Sequence, residues 1–166
     1  GRIAPQKDFL GLISALAFVA DRPWSLTILG DGPLLEEARK KAQELGLAGR
    51  INFAGFVSDV APYLAQSDIL VLSSRWEGFP AVPIEAMATG CPVVATDCSP
   101  GLTRLLQEIG QDTVAVRNPE ALGKAIGEEM DTPRPLEPLR TCASAYTIEN
   151  SVDQHLKLLE RAYKAD

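Results

Sequence analysis

Short apolar runs alternate along this chain with longer stretches in which apolar residues recur every three or four positions. The run 69–72 is wholly apolar, as in a parallel strand that is buried on both faces. Strands are predicted at 24–29, 51–54, 69–72, 92–96 and 113–116. Helices are predicted at 8–20, 34–45, 60–66, 83–89, 102–109, 119–130 and 148–164, with a proline-marked break at 131–138. This alternation predicts an α/β fold, a doubly wound parallel sheet with helices on both faces.

The stretch 73–90 follows the buried strand and holds the most distinctive residues of the chain. Glu77 and Glu85 bracket a turn at 78–80, and seven residues separate the two carboxylates. Ligands of open parallel sheets bind beyond the carboxyl ends of the strands, and the free N–H groups of a following helix suit a phosphate. Carboxylates at such a position can accept hydrogen bonds from sugar hydroxyls. The spacing alone also fits a structural role, because a helix dipole favours an acidic residue in the first turn.

Composition narrows the class of protein. The chain has 166 residues, 46% of them apolar, which suits one globular domain with a sizeable core. A net charge of −6 argues against a non-specific nucleic-acid binder and against an anionic membrane surface. No apolar run approaches the length of a membrane span. Three widely spaced cysteines indicate free thiols in a reducing compartment, with Cys91 as a small packing residue.

A second glycine turn, Gly30-Asp31-Gly32-Pro33, raises the question of a dinucleotide site. The dinucleotide fingerprint needs a third glycine at position 35, where Leu35 stands, and the next strand does not end in an acidic residue. We therefore expect no nicotinamide or flavin cofactor, and interpret the turn as structural or as part of a cleft wall. Clustered acidic or histidine ligands are also missing from the sequence, so no metal is expected.

Taken together, the motifs resemble the donor-binding signature of the retaining glycosyltransferases of family 4, which have the two-domain GT-B architecture. The central match is Glu77-Gly78-Phe79-Pro80 followed by Glu85-Ala86-Met87-Ala88. Matching motifs occur in the same order elsewhere in the chain: Gly1-Arg2 with Lys7, Gly30–Pro33, Gly55-Phe56-Val57 and Gly90–Thr96. The chain departs from the family at Leu102-Thr103-Arg104, where an acidic residue is usual, and at 110–114.

The resemblance implies a Rossmann-like domain that binds a nucleotide-diphosphate sugar, with a UDP-sugar favoured, and transfers the sugar with retention of configuration. Arg2 and Lys7 would bind the diphosphate and stabilise it as it leaves, and Glu77 would face the donor sugar, so these three are the catalytic candidates. Glu85 would bind the ribose. The remaining donor-binding candidates are Gly55, Phe56 and Val57 near the nucleobase, and the turn residues Gly78, Phe79 and Pro80 near the sugar and phosphate.

The same resemblance suggests that residues 1–166 are one domain of a longer protein. Residues 1–4 have the character of the end of a strand, so we expect an N-terminal domain that binds a saccharide or lipid-linked acceptor. We expect the isolated chain to be inactive, part of the apolar face of the last helix to be exposed, and the whole protein to be cytoplasmic or attached peripherally to the inner membrane face. Two alternatives stay open: a nucleotide-sugar-binding module without activity, and an epimerase of the same fold. A phosphorylase is disfavoured because no lysine stands in a context suited to pyridoxal phosphate.

Overall fold

The computed structural model describes residues 1–163, whose helices and strands follow the predicted α/β order. In chain order they are α1 Phe9–Leu16, β1 Leu26–Leu29, α2 Leu35–Glu44, β2 Ile51–Gly55, α3 Ala61–Leu64, β3 Leu70–Leu72, α4 Val82–Thr89, β4 Val93–Ala95, α5 Pro100–Glu108, α6 Pro119–Asp131, α7 Leu136–Ser144 and α8 Ile148–Tyr163. Strand β1 pairs in parallel with β2, and β3 pairs in parallel with β4. All named strand pairs are therefore parallel, as the buried apolar runs predicted.

Two predicted elements are shorter in the structure, and helix α7, which begins within the break at 131–138, was not predicted as an element of its own. The helix predicted at 8–20 is α-helical only through Leu16 and continues as a single 3-10 turn at Ala17–Val19. The strand predicted at 113–116 is reduced to one parallel bridge between Thr96 and Val114. Residues 115 and 116 are exposed, so burial does not favour a longer strand there. Residue 164, predicted to end the last helix, lies outside the described residues.

The core consists of two apolar clusters, one for each pair of strands. The first joins α1, α6 and the β1–β2 pair around buried residues such as Leu12, Ile28 and Ile126. The second joins α4, α5, α7 and the β3–β4 pair around residues such as Met87 and Leu106. Burial of these side chains supplies most of the driving force for folding. It also holds the carboxyl ends of the strands, where a ligand would bind, on a rigid base.

The turn at 30–32 is held against the first residues of the chain. The Ile3 N–H donates to the carbonyl of Asp31 over 2.8 Å, and the Leu34 N–H donates to the carbonyl of Ile3 over 3.1 Å. Gly30 has a φ of 129°, and a Cβ atom at Gly32 would lie 2.4 Å from the Ile3 carbonyl oxygen. Only glycine permits this approach. The geometry supports the structural interpretation of the turn.

Helix α8 carries apolar side chains that nothing in the described chain covers. Ile148, Val152, Leu156, Leu158, Leu159 and Tyr163 are between 52% and 86% exposed. The sequence analysis expected part of the apolar face of this last helix to be exposed, which the structure confirms. A contiguous exposed apolar face of this kind usually marks an interaction surface.

Cys91 links α4 to β4 and yields a prediction for alkaline stability. It is 2% exposed, and its burial raises the pKa of the thiol to about 11. The unfolded thiol ionises near pH 9, so the unfolded state gains stability as the pH rises from about 9 to 11 while the folded thiol keeps its proton. We expect this to remove about 2–3 kcal/mol of folding stability across that range.

Urea unfolding at pH 7, 9, 10 and 11 checks the alkaline prediction. Cys91→Ala should lose less stability between pH 9 and 11 than the parent, because the substitution removes the titrating group. Cys142→Ala is the comparison: burial also raises the pKa of this partly buried thiol, so its curve should change in the same direction but less than that of Cys91→Ala. Parallel curves for the parent and Cys91→Ala would contradict the assignment.

Candidate functional site

Two segments far apart in the sequence, residues 6–8 and 73–77, meet just beyond the carboxyl end of β3. The Ser73 hydroxyl donates to the carbonyl of Lys7 over 2.8 Å. The Arg75 N–H donates to the carbonyl of Gln6 over 2.7 Å, and the Gln6 amide donates to the carbonyl of Trp76 over 2.9 Å. We refer to the two joined segments as the 6–8/73–77 junction. It lies where ligands of open parallel sheets bind.

Lys7 and Glu77 form an ion pair within this junction. The Lys7 Nζ lies 2.6 Å from Glu77 Oε1, and the two side chains are 25% and 10% exposed. The Ser74 hydroxyl donates to the same carboxylate oxygen over 2.8 Å. The second oxygen, Oε2, has a longer contact of 3.4 Å with the Gln6 amide. The structure thus brings together two of the three predicted catalytic residues and leaves Oε2 able to accept further hydrogen bonds.

A second ion pair, between Asp8 and Arg75, lies one residue after Lys7 in the first segment and two residues before Glu77 in the second. Asp8 Oδ1 lies 2.9 Å from Arg75 Nη2, and Asp8 is 7% exposed. Asp8 is also the N-cap of α1, accepting from the Gly11 N–H over 3.4 Å, as its position at the helix start predicted. The hydrogen bond to this carboxylate raises the pKa of Arg75. The junction therefore contains two adjacent ion pairs of opposite polarity.

The loop 78–80 is held on two sides. The Ser99 hydroxyl, at the N-cap of α5, donates to the carbonyl of Gly78. The Phe79 ring stacks on Tyr146 with the centroids 6.0 Å apart, and a Cβ atom at Gly101 would lie 2.7 Å from the ring. Pro80 is buried. The Phe79 side chain therefore has a packing role in this loop.

Of the other predicted site residues, Gly55 ends β2, whereas residues 1–4 lie outside every named strand, so Arg2 does not stand at a strand end as expected. Arg2 and Glu85 are exposed, and none of the ion pairs in residues 1–163 involves either of them. Glu85 lies in the first turn of α4, as predicted. Gly55 ends β2 with a φ of 75°, Phe56 is 83% exposed, and Val57 is partly buried. These residues are open to a ligand, and their roles stay predictions.

Sequence reasoning missed four residues of the junction. They are Gln6, Ser74, and the two partners of the second ion pair, Asp8 and Arg75. Ser74 and Arg75 stand beside the recognised motif, and Gln6 and Asp8 stand beside Lys7. Their position next to motif residues was therefore the only feature of the sequence that could have indicated these four residues. Nothing in the sequence indicates that Asp8 meets a partner 67 positions later.

Within residues 1–163, no three His, Cys, Asp or Glu side chains are grouped so that they could hold a metal ion. Over the same residues, no helix combines the length and the hydropathy that crossing a bilayer would require.

The fold and the ordered motifs agree with the comparison to known proteins. The family model described as "Glycosyl transferases group 1" matches residues 1–131, so the chain belongs to the group 1 glycosyl transferases. It is 31% identical to the lipopolysaccharide core biosynthesis mannosyltransferase LpsB of Rhizobium meliloti, over 99% of this chain and 50% of LpsB. It is 45% identical to the Vi polysaccharide biosynthesis protein VipC/TviE of Salmonella typhi, over 57% of this chain and 16% of that protein.

Solved structures confirm the architecture. The sucrose-phosphate synthase of Thermosynechococcus elongatus superposes with a TM-score of 0.84 at 28% identity, covering 100% of this chain and 45% of the synthase. Anabaena Alr3699/HepE in complex with UDP gives a TM-score of 0.84 at 23% identity, covering 98% of this chain and 47% of HepE. The predicted α/β, Rossmann-like fold shared with GT-B glycosyltransferases is therefore confirmed. The chain spans half or less of the length of each of these four proteins.

The contact between Gly101 and Phe79 yields a prediction for the loop 78–80. Gly101→Ala places a methyl group against the Phe79 ring, so we expect the ring to move away from Tyr146. Folding stability should fall by about 1–2 kcal/mol, the cost of overpacking less the gain in helix propensity. Thermal unfolding measures the loss.

Gly49→Ala is the matched control, because no heavy atom lies within 4 Å of the Cβ position there. Combining Gly101→Ala with Phe79→Leu should recover part of the lost stability, since the smaller side chain makes room. Equal melting temperatures for the parent and Gly101→Ala would show that the loop does not depend on this contact.

Proposed function

We propose that this chain binds the nucleotide-sugar donor of a retaining glycosyltransferase, that the donor is a UDP-sugar, and that the sugar is transferred as an alpha linkage. The observation that carries this proposal is the partly buried Lys7–Glu77 pair beyond the carboxyl end of β3. Support comes from the family match and from relatives named as lipopolysaccharide and polysaccharide biosynthesis proteins. HepE, which shares the fold, has been crystallised with UDP and with UDP-glucose.

Lys7 has the geometry to bind a diphosphate without leaving Glu77. An ammonium group has three N–H donors, and one of them is directed at Glu77 Oε1. The other two can reach phosphate oxygens, while Glu77 keeps the ammonium in place. Arg2, which is exposed close by in the sequence, adds a planar donor fork suited to phosphate. Together they stabilise the negative charge that develops on the diphosphate as it leaves.

Glu77 and Glu85 have different tasks in this proposal. Glu77 accepts from a hydroxyl of the donor sugar through Oε2, the oxygen that Lys7 and Ser74 leave available. Glu85, exposed on the first turn of α4, accepts from the ribose hydroxyls. The departing diphosphate and the incoming acceptor use the same face of the sugar, so neither carboxylate acts as a nucleophile. Backbone groups at 55–57 contact the nucleobase, and those around Gly78 and Phe79 contact the sugar and phosphate.

We further propose that the chain is the donor half of a two-domain protein. Support comes from the exposed apolar face of α8 and from relatives about twice as long as the chain. The acceptor, a saccharide or a lipid-linked saccharide, binds the other domain, and the chain alone transfers no sugar. The three free thiols fit a reducing compartment, so we place the whole protein in the cytoplasm, with its other domain at the inner membrane face.

Binding of UDP to the 166-residue chain tests the donor site. Lys7→Ala should weaken UDP binding by about 1–3 kcal/mol, because it removes a charge-assisted hydrogen bond to the diphosphate. Isothermal titration with UDP and with GDP measures the effect. Lys124→Ala, which removes the same charge from an exposed position on α6, should leave the affinity unchanged. Absence of heat with both nucleotides at millimolar concentration, in a folded sample, would contradict the donor site.

The two carboxylates can be separated with a second ligand. Glu85→Gln should weaken UDP and UDP-glucose equally, by about 1.5–3 kcal/mol, because both ligands carry the ribose. Glu77→Gln should leave UDP binding nearly unchanged, since the glutamine oxygen still accepts from Lys7, and should weaken UDP-glucose relative to UDP. Titration of both variants with both ligands, with melting curves as a folding control, measures this. Equal effects of both substitutions on UDP would contradict the division of roles.

A further inference from the structure

The 6–8/73–77 junction contains a buried aspartate in a backbone conformation that disfavours it. Asp8 has a φ of 48° and a ψ of 44°, in the left-handed region where glycine carries no steric penalty. Its carboxylate is 7% exposed, and an unpaired charge would be costly there. The side chain of Asp8 therefore makes contacts that a glycine could not make. Its contacts are the cap on α1 and the ion pair with Arg75.

The Asp8–Arg75 pair lines a cavity that the Lys7–Glu77 pair does not line. Asp8 and Arg75 line a cavity of about 260 Å³ together with Ile3, Phe9 and Leu34. Lys7 and Glu77 are not part of that lining. Asp8 and Arg75 therefore do not share this cavity with the ion pair that would bind the donor, and backbone contacts between the two segments link the two ion pairs.

The polarity of the two ion pairs determines how the two segments align. Lys7 meets Glu77 over 2.6 Å, and Asp8 meets Arg75 over 2.9 Å. The alternative alignment, with Lys7 against Arg75 and Asp8 against Glu77, would place like charges together and is unfavourable. One alignment of the segments is thus selected, and it is the one in which Lys7 contacts Glu77.

We propose that the Asp8–Arg75 ion pair aligns the two segments so that Lys7 and Glu77 are held in position for donor binding. This proposal rests on the donor-binding function proposed above. Asp8 and Arg75 are positioning residues. They adjoin the binding residues in the chain, and their ion pair joins the same two segments that carry Lys7 and Glu77.

Two substitutions and a matched control test the proposal with UDP as the probe. Asp8→Asn keeps a side chain that tolerates the left-handed conformation and caps the helix, and removes only the charge. Arg75→Gln removes the other partner. Each should raise the dissociation constant for UDP about 3–10-fold, and Arg75→Lys should recover part of the loss. Arg22→Gln breaks a similarly short ion pair with Asp131, distant in sequence from the junction, and should leave UDP affinity unchanged.

A double-mutant comparison separates positioning from general destabilisation. If Arg75 acts through Lys7, Arg75→Gln should have no further effect on UDP affinity when Lys7→Ala is already present. Melting temperatures are recorded for every variant. A fall in melting temperature with an unchanged dissociation constant for Asp8→Asn and Arg75→Gln would overturn the proposal.

A ligand-free measurement keeps this test distinct from that of the proposed function. Lysines are labelled by reductive methylation with a carbon-13 methyl donor, and Lys7→Arg identifies the Lys7 signal in the NMR spectrum. Arg75→Gln should move that signal toward those of the exposed lysines Lys40 and Lys124, whereas Arg22→Gln should not. An unchanged Lys7 signal in Arg75→Gln would contradict the positioning role. Failure of the parent to bind UDP would instead contradict the donor site alone.

Discussion

The arrangement of the candidate site depends on the ion pair between Lys7 and Glu77. The two residues are 70 positions apart, and their side chains are mostly shielded from solvent. Partial burial of two charges is costly, and pairing offsets that cost only when the remaining hydrogen-bonding groups are also satisfied. Ser74 supplies one such hydrogen bond, and the Glu77 N–H is itself tied to the carbonyl of Cys98 over 2.7 Å. Glu77 is therefore held in place through both its side chain and its backbone.

The fold makes this pairing possible by bringing several strand ends close together. Glycines at 30 and 32 let the first residues of the chain lie against the turn after β1. The 6–8/73–77 junction joins residues 6–8 to the segment that follows β3. At the start of α5, Ser99 and Gly101 contact the loop 78–80 and hold it in place. Phe79 then extends the network to Tyr146, two residues before α8. A surface that covers α8 would therefore lie close to the loop proposed to contact the donor.

Charge in this protein is organised locally. The whole chain carries a net charge of −6, which by itself disfavours an anionic ligand. Within the junction each carboxylate is matched by a cation, so Lys7 is available to a phosphate without a strongly negative surrounding. Membership of the group 1 glycosyl transferases accords with this arrangement, because a nucleotide sugar needs cations for its diphosphate and acceptors for its hydroxyls.

The sequence by itself determined the α/β class, most helix and strand positions, the glycine turns and membership of the glycosyltransferases, because these depend on local periodicity and on motifs contiguous in the chain. The helix at 83–89 and the glycine turn at 30–33 are of this kind. Only the tertiary structure decided that Lys7 contacts Glu77, that Asp8 contacts Arg75, and that Phe79 packs between Gly101 and Tyr146. It also reduced the last predicted strand to a single bridge at Val114. Each of these outcomes joins residues that are separated in sequence, and such pairings follow from how strands and helices pack rather than from any local pattern.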